Sequence, residues 1–173
     1  RLSILSSDFG SAGKGIRKAY ISAISTAKTS VLLTNAYFLP PAKIMKVLTA
    51  AARRGVRVGI ILGAKTDVKI VLWAARGTYR RMLKAGIELY EFNERILHAK
   101  TGVIDGSWVT VGSSNLDALS LRKNLEVNAF FQDAALGQAV ETMFEQDAAI
   151  SERVTLDSIN HYGLLQRLAS WFA

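Results

Sequence analysis

The sequence contains no cysteine among its 173 residues. This absence excludes disulfide bonds, thiolate catalysis and any zinc or iron–sulfur site with cysteine ligands. Long hydrophobic runs are also missing: no stretch of 18 or more apolar residues occurs, so we expect no membrane-spanning helix. Half of the residues are nevertheless hydrophobic, and the length suits a single domain over 1–173 with a core of its own.

Acidic residues are the scarcer charged type. The chain has 14 Asp and Glu against 22 Lys and Arg, which gives a formal net charge of +8. Such an excess favours anionic partners, which include phospholipid headgroups, nucleic acid and phosphorylated substrates, and it does not choose among them. The chain begins at Arg1 without a signal peptide and ends inside an amphipathic pattern, so we expect a piece of a longer protein.

Hydrophobic periodicity predicts helices that alternate with strands. The helical patterns lie at 13–28, after Pro41, at 68–85 and at 133–149, and the strand patterns lie at 30–36, 56–62, 87–92, 98–104, 107–112 and 125–131. We expect an α/β domain with a mixed, mostly parallel sheet flanked by helices on both faces. A helical C-terminal extension is expected at 151–173.

Histidine is rare, and His98 stands at the start of a predicted strand. Alternate side chains of a strand share one face, so His98 and Lys100 should point the same way, with Gly102 leaving room for a ligand. Asp105 and the glycine after it predict a hairpin turn. The returning strand should then bring Ser113 and the polar residues after it close to the histidine.

The strand predicted at 125–131 has an unusual polar face. Asn124, Glu126 and Asn128 alternate with apolar residues. Polar groups inside an α/β sheet cost free energy unless they are paired or used. We therefore expect this face to take part in the site.

These side chains suit attack on a phosphodiester. An imidazole acts as nucleophile, or as general acid and base, near neutral pH. Lys100 and Asn115 can stabilise charge on the non-bridging oxygens, and Glu126 can orient the imidazole. The sequence offers no carboxylate cluster for two metal ions, so we expect chemistry without a metal or other cofactor.

A fixed string of residues resembles the phospholipase D superfamily motif at every defined position: His98-x-Lys100-x4-Asp105-x6-Gly112-Ser113-x-Asn115. The surroundings resemble the cardiolipin synthase branch, with NAYFLP at 35–40, ARRGVRV at 52–58, AGIELYEF at 85–92 and GSSNLDALSLRKNLEVN at 112–128. The similarity covers roughly residues 13–150.

This resemblance implies a phosphatidyltransferase that forms cardiolipin through a phosphohistidine intermediate. The implied catalytic residues are His98, Lys100, Asp105, Asn115 and Glu126, and the implied substrate or phosphate contacts are Ser113, Tyr37 and Asn124. The implied substrate is phosphatidylglycerol or a similar phospholipid. The implied location is the bacterial cytoplasm, peripheral at the inner face of the cell membrane.

Family active sites combine two such motifs across a pseudo-twofold axis, and this sequence contains one. The site is then completed by an N-terminal half of the same enzyme or by a second copy in a homodimer. Histidines of the second motif are usually assigned as general acid and base, and we carry that role to His98. The alternatives are a phospholipase D-type endonuclease that acts as a homodimer, and a phospholipase D that hydrolyses phospholipids.

Several of these residues also fit structural roles. Asp105 lies on the turn and points away from the His98 face, so an orienting role fits it equally well. Tyr37 and Phe38 fit either a lipid pocket or the core. Two further groups fit a solvated or core position as well as membrane contact: Arg76, Arg80, Arg81 and Lys84, and the stripe of Leu164, Leu165, Leu168, Trp171 and Phe172 that follows His161.

Overall fold

The computed structural model describes residues 1–7, 13–66, 69–118, 120–121 and 124–160. The helices are α1 (Gly13–Thr26), α2 (Ala42–Arg53), α3 (Lys69–Lys84), α4 (Ala134–Ala149) and α5 (Leu156–Asn160). The strands are β1 (Leu2–Ser7), β2 (Ser30–Asn35), β3 (Phe38–Leu39), β4 (Arg57–Gly63), β5 (Glu88–Phe92), β6 (Lys100–Ile104), β7 (Trp108–Gly112), β8 (Leu116–Asp117), β9 (Glu126–Gln132) and β10 (Glu152–Val154).

Eight strands form one mixed sheet in the order β1-β9-β7-β6-β2-β4-β5-β10. The expected α/β fold class is confirmed. Parallel pairing within this sheet is confined to β2, β4 and β5 in the described residues, and the other pairings are antiparallel. The sheet is therefore less parallel than the sequence analysis expected, because the β6–β7 hairpin and the edge strands β1 and β10 all run against their neighbours.

Helices cover both faces of the sheet. One face packs against α1, α2 and α3. The core on this side includes Tyr20 of α1 and the strand residues Leu33, Ile60 and Ile104. The other face packs against α4 through Leu32, Val103 and Phe144, among others. The continuous apolar pattern of β2 and β4 follows from this arrangement, because strands that are covered on both faces bury every side chain.

The segment beyond residue 150 differs from the expected helical extension. Residues Glu152–Val154 form β10, which adds an antiparallel edge strand to β5, and only then does α5 begin. Strand β10 has three residues, which are too few to show a strand pattern in the sequence. Residues 161–173, with His161 and the apolar stripe, lie outside the described residues.

The turn between β6 and β7 fixes how α4 sits on the sheet. Asp105 and Gly106 both have positive φ values, 49° and 62°, as the predicted hairpin turn requires. Asp133 caps the N-terminus of α4 by accepting a hydrogen bond from Leu136 N, 2.9 Å away. Gly137 then lies directly against the backbone of Gly106, where any side chain would overlap the carbonyl group.

The Asp105 carboxylate holds the connection from α1 to β2. It accepts hydrogen bonds from the backbone N–H groups of Lys28, Thr29 and Ser30 and from the Thr29 hydroxyl, at 2.8–3.1 Å. Partial burial acts to raise the pKa of Asp105, but these hydrogen bonds outweigh it and the pKa is lowered. The carboxylate is thus a stabilising group of the fold in its charged form.

We expect Asp105→Asn to lower the free energy of unfolding by about 1–2 kcal/mol, because an amide oxygen accepts less strongly than a carboxylate. A lowered folded-state pKa gives stability that is present above the unfolded value of about 3.9 and is lost as pH falls through the folded value. Urea denaturation at pH 7 and at pH 3 checks both points, and the variant's deficit should shrink at the lower pH. Asp147→Asn is the control, with a change within about 0.5 kcal/mol. Equal stability of wild type and Asp105→Asn at pH 7 would contradict this role.

Candidate active site

Four strand ends meet at one edge of the sheet. β2 ends there at Asn35, and the antiparallel β6 begins there at Lys100, which pairs with Asn35. β7 ends at the same edge with Gly112, and β9 begins there with Glu126. The polar residues singled out from the sequence are concentrated at this edge because alternating strand directions return the chain to it twice.

His98 and Lys100 lie at this edge, although the strand itself begins only at Lys100. His98 belongs to the irregular segment before β6 and is exposed to solvent. The Lys100 side chain is 6% exposed, and its Nζ donates a hydrogen bond of 2.7 Å to the carbonyl oxygen of His98. The ammonium group therefore fixes the backbone that carries the imidazole.

Lys100 is a buried cation with a carboxylate nearby. Burial lowers the pKa of Lys100, and the negative charge of Glu126 acts in the opposite direction. Glu126 is itself buried at the start of β9. The edge therefore holds an ammonium and a carboxylate that are close enough to interact electrostatically.

Ser113 and Asn124 both hold the carboxylate of Glu126. The Ser113 hydroxyl donates to one oxygen at 2.5 Å, and the Asn124 amide donates to the other at 3.4 Å. The Ser113 oxygen also accepts a hydrogen bond from Val127 N at 3.0 Å. Asn124 lies in the exposed loop before β9 rather than on the strand face where the sequence placed it. Ser113 and Asn124 thus contact Glu126 in this structure, and their contact with phosphate stays a prediction.

Asn115 is buried at the same edge and has a defined orientation. Its side-chain oxygen accepts a hydrogen bond from Tyr37 N at 3.2 Å, which leaves the NH₂ end of the amide directed away from that contact. The Tyr37 side chain is half-buried beside a small cleft that is also lined by Val71 and Leu72 on α3. Its neighbour Phe38 is a core residue.

A buried polar network supports the edge from below. Asn128 accepts a hydrogen bond from Ser114 N at 3.2 Å and donates one to the Thr110 hydroxyl at 3.1 Å. The Tyr20 hydroxyl of α1 faces Thr110 and Asn128, and its complete burial raises the pKa of Tyr20 to about 12. The polar groups on this face of β9 are therefore paired within the protein, Asn128 holds the turn after β7, and a part in the chemistry stays a prediction.

Two glycines shape the edge in different ways. A side chain on Gly112 would overlap the Asn128 amide and the Val127 carbonyl, so only glycine lets β7 end so close to β9. Gly102 was expected to leave room for a ligand. A Cβ atom there would instead lie 2.8 Å from a methyl carbon of Leu33, so the space beside Gly102 is filled by the hydrophobic core.

Asp105 does not join this cluster. It follows the opposite end of β6, and Lys100 and Ile104 alone are separated by roughly 13 Å of strand. Its contacts are with the connection from α1 to β2, which matches the structural alternative rather than a catalytic one. The expectation of direct chemistry at Asp105 is therefore not supported by its position.

The described basic residues of α3 differ in whether their side chains are mostly buried or exposed. Arg76 turns inward and forms a two-pronged ion pair with the buried Glu91 of β5, at 2.8 and 2.6 Å, and the Tyr79 hydroxyl donates to the same carboxylate at 2.9 Å. Arg80 and Arg81 are exposed. Helical spacing alone could not separate Arg76 from its neighbours, since its partner lies on another element.

Sequence reasoning missed Asn35, which is fully buried at the end of β2. Its side-chain oxygen accepts a hydrogen bond from Leu116 N at 2.9 Å. The available signal was an asparagine that closes a run of apolar strand residues, a position where a polar side chain is costly without a partner. The partner lies 81 residues away in the sequence, so the signal indicated a role without indicating which one.

No group of three or more His, Asp or Glu suited to a metal ion occurs among the described residues. Within the same residues, no helix has the length and apolar character needed to cross a bilayer.

Comparison with known proteins identifies the family. The family model for the cardiolipin synthase, phospholipase D-like domain matches residues 20–148. Cardiolipin synthase B of Salmonella typhi is 41% identical over 125 residues, which cover 72% of this chain and 30% of that protein. The major cardiolipin synthase ClsA of Bacillus subtilis is 35% identical over 156 residues, or 90% of this chain and 32% of that protein.

The chain thus spans about a third of the length of these relatives. Among solved structures, the phospholipase D family member Nuc from Salmonella typhimurium superposes with a TM-score of 0.75 at 27% identity, covering 89% of this chain and 97% of that one. The family-model match and the identities to the cardiolipin synthases lead to one assignment. The chain belongs to the cardiolipin synthase branch of the phospholipase D-like domains.

Proposed function

We propose that this domain supplies one half of the active site of a phosphatidyltransferase that makes cardiolipin. The observation that carries the proposal is the Lys100 ammonium, buried at the sheet edge, bonded to the His98 backbone and close to Glu126. Asn115 lies at the same edge with its amide oxygen already engaged. Such a site presents an imidazole together with fixed donors for a phosphoryl group.

The proposed chemistry uses two histidines, one from each motif. A histidine nitrogen of the other half attacks phosphorus, and the bond from phosphorus to the headgroup oxygen breaks. His98 as imidazolium gives its proton to the leaving alkoxide, which departs as glycerol when the donor is phosphatidylglycerol. Neutral His98 then removes a proton from the hydroxyl of a second phosphatidylglycerol, whose oxygen displaces the histidine and forms cardiolipin.

Charge on the reacting phosphoryl group is stabilised by protein groups in this scheme. Lys100 supplies a full positive charge, and the Asn115 NH₂ group supplies a neutral donor. Both are held in place before substrate arrives, Lys100 by the His98 carbonyl and Asn115 by Tyr37 N. We propose that these donors let the reaction proceed without a metal ion.

The substrate is proposed to be phosphatidylglycerol or a similar phospholipid, taken from the inner face of a bacterial membrane. The net charge of +8 supports attraction to anionic headgroups. The half-buried Tyr37 ring, beside the small apolar cleft with Val71 and Leu72, is proposed to contact the glycerol backbone or acyl chains. The peripheral location is part of the same proposal.

A second domain of the same fold is proposed to complete the site. Helix α4 leaves part of its sheet face uncovered. Apolar side chains are exposed there on β1, on β7, on β9 and just before β9, beside Gly112 and Glu126: Leu2, Ile4, Val111, Val127 and Leu125. Exposed apolar surface of this extent, adjoining a half-complete site, fits a protein interface. The matched cardiolipin synthases are about three times as long as the aligned region, and this extra length supports a second domain within the same polypeptide that covers this face.

Loss of the imidazole tests the catalytic proposal. The full-length enzyme, incubated in EDTA with phosphatidylglycerol vesicles, should form cardiolipin, and His98→Ala should lower the rate at least about 1,000-fold while the protein remains folded. Lipid products are separated by thin-layer chromatography, and Arg80→Ala serves as the control for loss of an exposed basic residue. Normal product yield from His98→Ala would refute the assignment.

The pairing of Lys100 with Glu126 predicts a pH dependence. Activity requires the ammonium form, so the rate falls as pH rises through the pKa of Lys100. Glu126→Gln removes the charge that opposes the burial effect, so the pKa of Lys100 falls further and activity is lost at a lower pH. The measurement is kcat against pH, each profile normalised to its own maximum.

Ser113→Ala is the matched control for this pH profile. It removes a hydrogen bond to Glu126 and keeps the carboxylate charge, so its alkaline limb should stay near that of wild type. If the kcat of Glu126→Gln falls at the same alkaline pH as that of wild type, or at a higher pH, then Glu126 does not set the charge state of Lys100.

The uncovered sheet face predicts an effect of a charge placed next to the site but on the opposite face of β9 from Glu126. Val127→Lys should separate the two domains and lower the transfer rate at least about tenfold, because a lysine there would be buried against apolar groups. Ile70→Lys, at an apolar residue of α3 that is more exposed than Val127, should leave the rate unchanged. Limited proteolysis and analytical ultracentrifugation report the association, and equal behaviour of the two variants would exclude this face as the interface.

An endonuclease that acts as a homodimer is the second candidate function. Its support is that the chain contains one motif, has a net charge of +8 and covers 97% of the Nuc chain. Plasmid nicking in EDTA, together with size-exclusion chromatography, separates the candidates. A stable dimer that cuts DNA and leaves vesicle lipid unchanged would reverse their order.

A further inference from the structure

Two asparagines fasten the end of β2 to the segment after β7. The side-chain oxygen of Asn35 accepts a hydrogen bond from Leu116 N, and the side-chain oxygen of Asn115 accepts one from Tyr37 N. The two bonds run in opposite directions between the same two segments. Directly beyond them, β3 and β8 continue the contact as a two-stranded parallel ladder that pairs Phe38 with Leu116.

The orientation of each amide follows from the group that it meets. A backbone N–H needs an acceptor, so the oxygen of Asn35 faces Leu116 and its NH₂ group faces elsewhere. The same reasoning directs the NH₂ group of Asn115 away from Tyr37. Asn115 is thereby presented as a donor, which is the polarity that a phosphoryl oxygen requires.

Asn35 has an energetic cost that its packing does not explain. The residue is fully buried, and its Nδ2 atom has no hydrogen-bond partner among the residues that the structure describes. A buried donor without a partner destabilises a folded protein, so stability alone does not account for an asparagine there.

The position of Asn35 links both proposed phosphoryl donors. It pairs with Lys100 across the β2–β6 ladder, and through Leu116 it holds the residue that follows Asn115. One side chain therefore sets the distance between the strand that carries the ammonium and the turn that carries the amide.

We propose that Asn35 is a positioning residue of the active site, which fixes Asn115 relative to Lys100 through its hydrogen bond to Leu116 N. It does not touch the substrate and acts through the backbone of the 115–116 segment. This inference rests on the proposed phosphatidyl transfer, and it adds to that reaction a residue outside the family motif.

The test compares replacements of Asn35 in the full-length enzyme with phosphatidylglycerol vesicles as substrate. Asn35→Leu keeps the approximate volume and removes the acceptor, so Asn115 shifts and kcat should fall about 100-fold while KM changes less than about threefold. Asn35→Asp keeps an acceptor for Leu116 N and should retain at least about ten times the kcat of Asn35→Leu. Thr49→Val removes a buried hydroxyl bond within α2, away from the site, and should keep the wild-type kcat.

A second readout comes from the charge of the aspartate variant. The carboxylate of Asn35→Asp would lie beside Lys100 and should move the alkaline limb of the kcat profile to higher pH, a shift that requires the side chain at position 35 to face the Lys100 ammonium in the active enzyme. If Asn35→Leu fails to fold, Asn35→Ala replaces it in the comparison, with the same expected fall in kcat.

The outcomes separate the two proposals. A folded Asn35→Leu enzyme with kcat within about threefold of wild type overturns the positioning role, and so does an Asn35→Asp enzyme as slow as Asn35→Leu or with an unmoved alkaline limb. His98→Ala, assayed in parallel, reports on the reaction itself. If His98→Ala remains active, the proposed function fails, whatever the Asn35 variants show.

Discussion

A single buried ammonium group organises the functional edge of this domain. Lys100 is almost inaccessible to solvent, yet it keeps two polar relationships, a hydrogen bond to the His98 carbonyl and an electrostatic interaction with Glu126. A buried cation without such partners would lose its proton or destabilise the fold. The buried Lys100 ammonium therefore holds in place the backbone that carries the exposed imidazole of His98. The proposed phosphoryl chemistry needs both a fixed backbone and an accessible imidazole.

The rest of the fold serves to keep this edge rigid. At the far end of β6, Asp105 ties the hairpin turn to the start of β2, while at the near end Asn128 and Gly112 let β7 close onto β9. The hairpin is thus fastened at both ends by polar contacts and in the middle by the core, where Leu33 occupies the space beside Gly102. Rigidity matters here because an error of about 1 Å in the position of a catalytic group can cost two orders of magnitude in rate.

Much of the fold could be predicted because its signals are local. The apolar runs of β2 and β4, the helical spacing of α1 to α4 and the turn at Asp105 each lie within a short window of sequence. The edge strands β1 and β10 and the short β3–β8 ladder were missed, since their pairing partners are distant and their own patterns are short. The motif residues could be recognised from the sequence, but their hydrogen-bond partners could not. Asp105 bonds to the connection from α1 to β2, Asn124 lies in the loop before β9, and Asn35, which was not recognised, lies at the centre of the edge.

In the proposed reaction, Lys100 and Asn115 jointly receive the non-bridging oxygens of a phosphoryl group brought to His98. A crystal structure of the full-length enzyme with bound orthovanadate tests this most directly. We expect the vanadium to lie beside a histidine nitrogen, with Lys100 Nζ and the Asn115 NH₂ group each about 3 Å from its oxygens. Vanadate bound away from His98, with Lys100 and Asn115 keeping only their present protein partners, would contradict the claim.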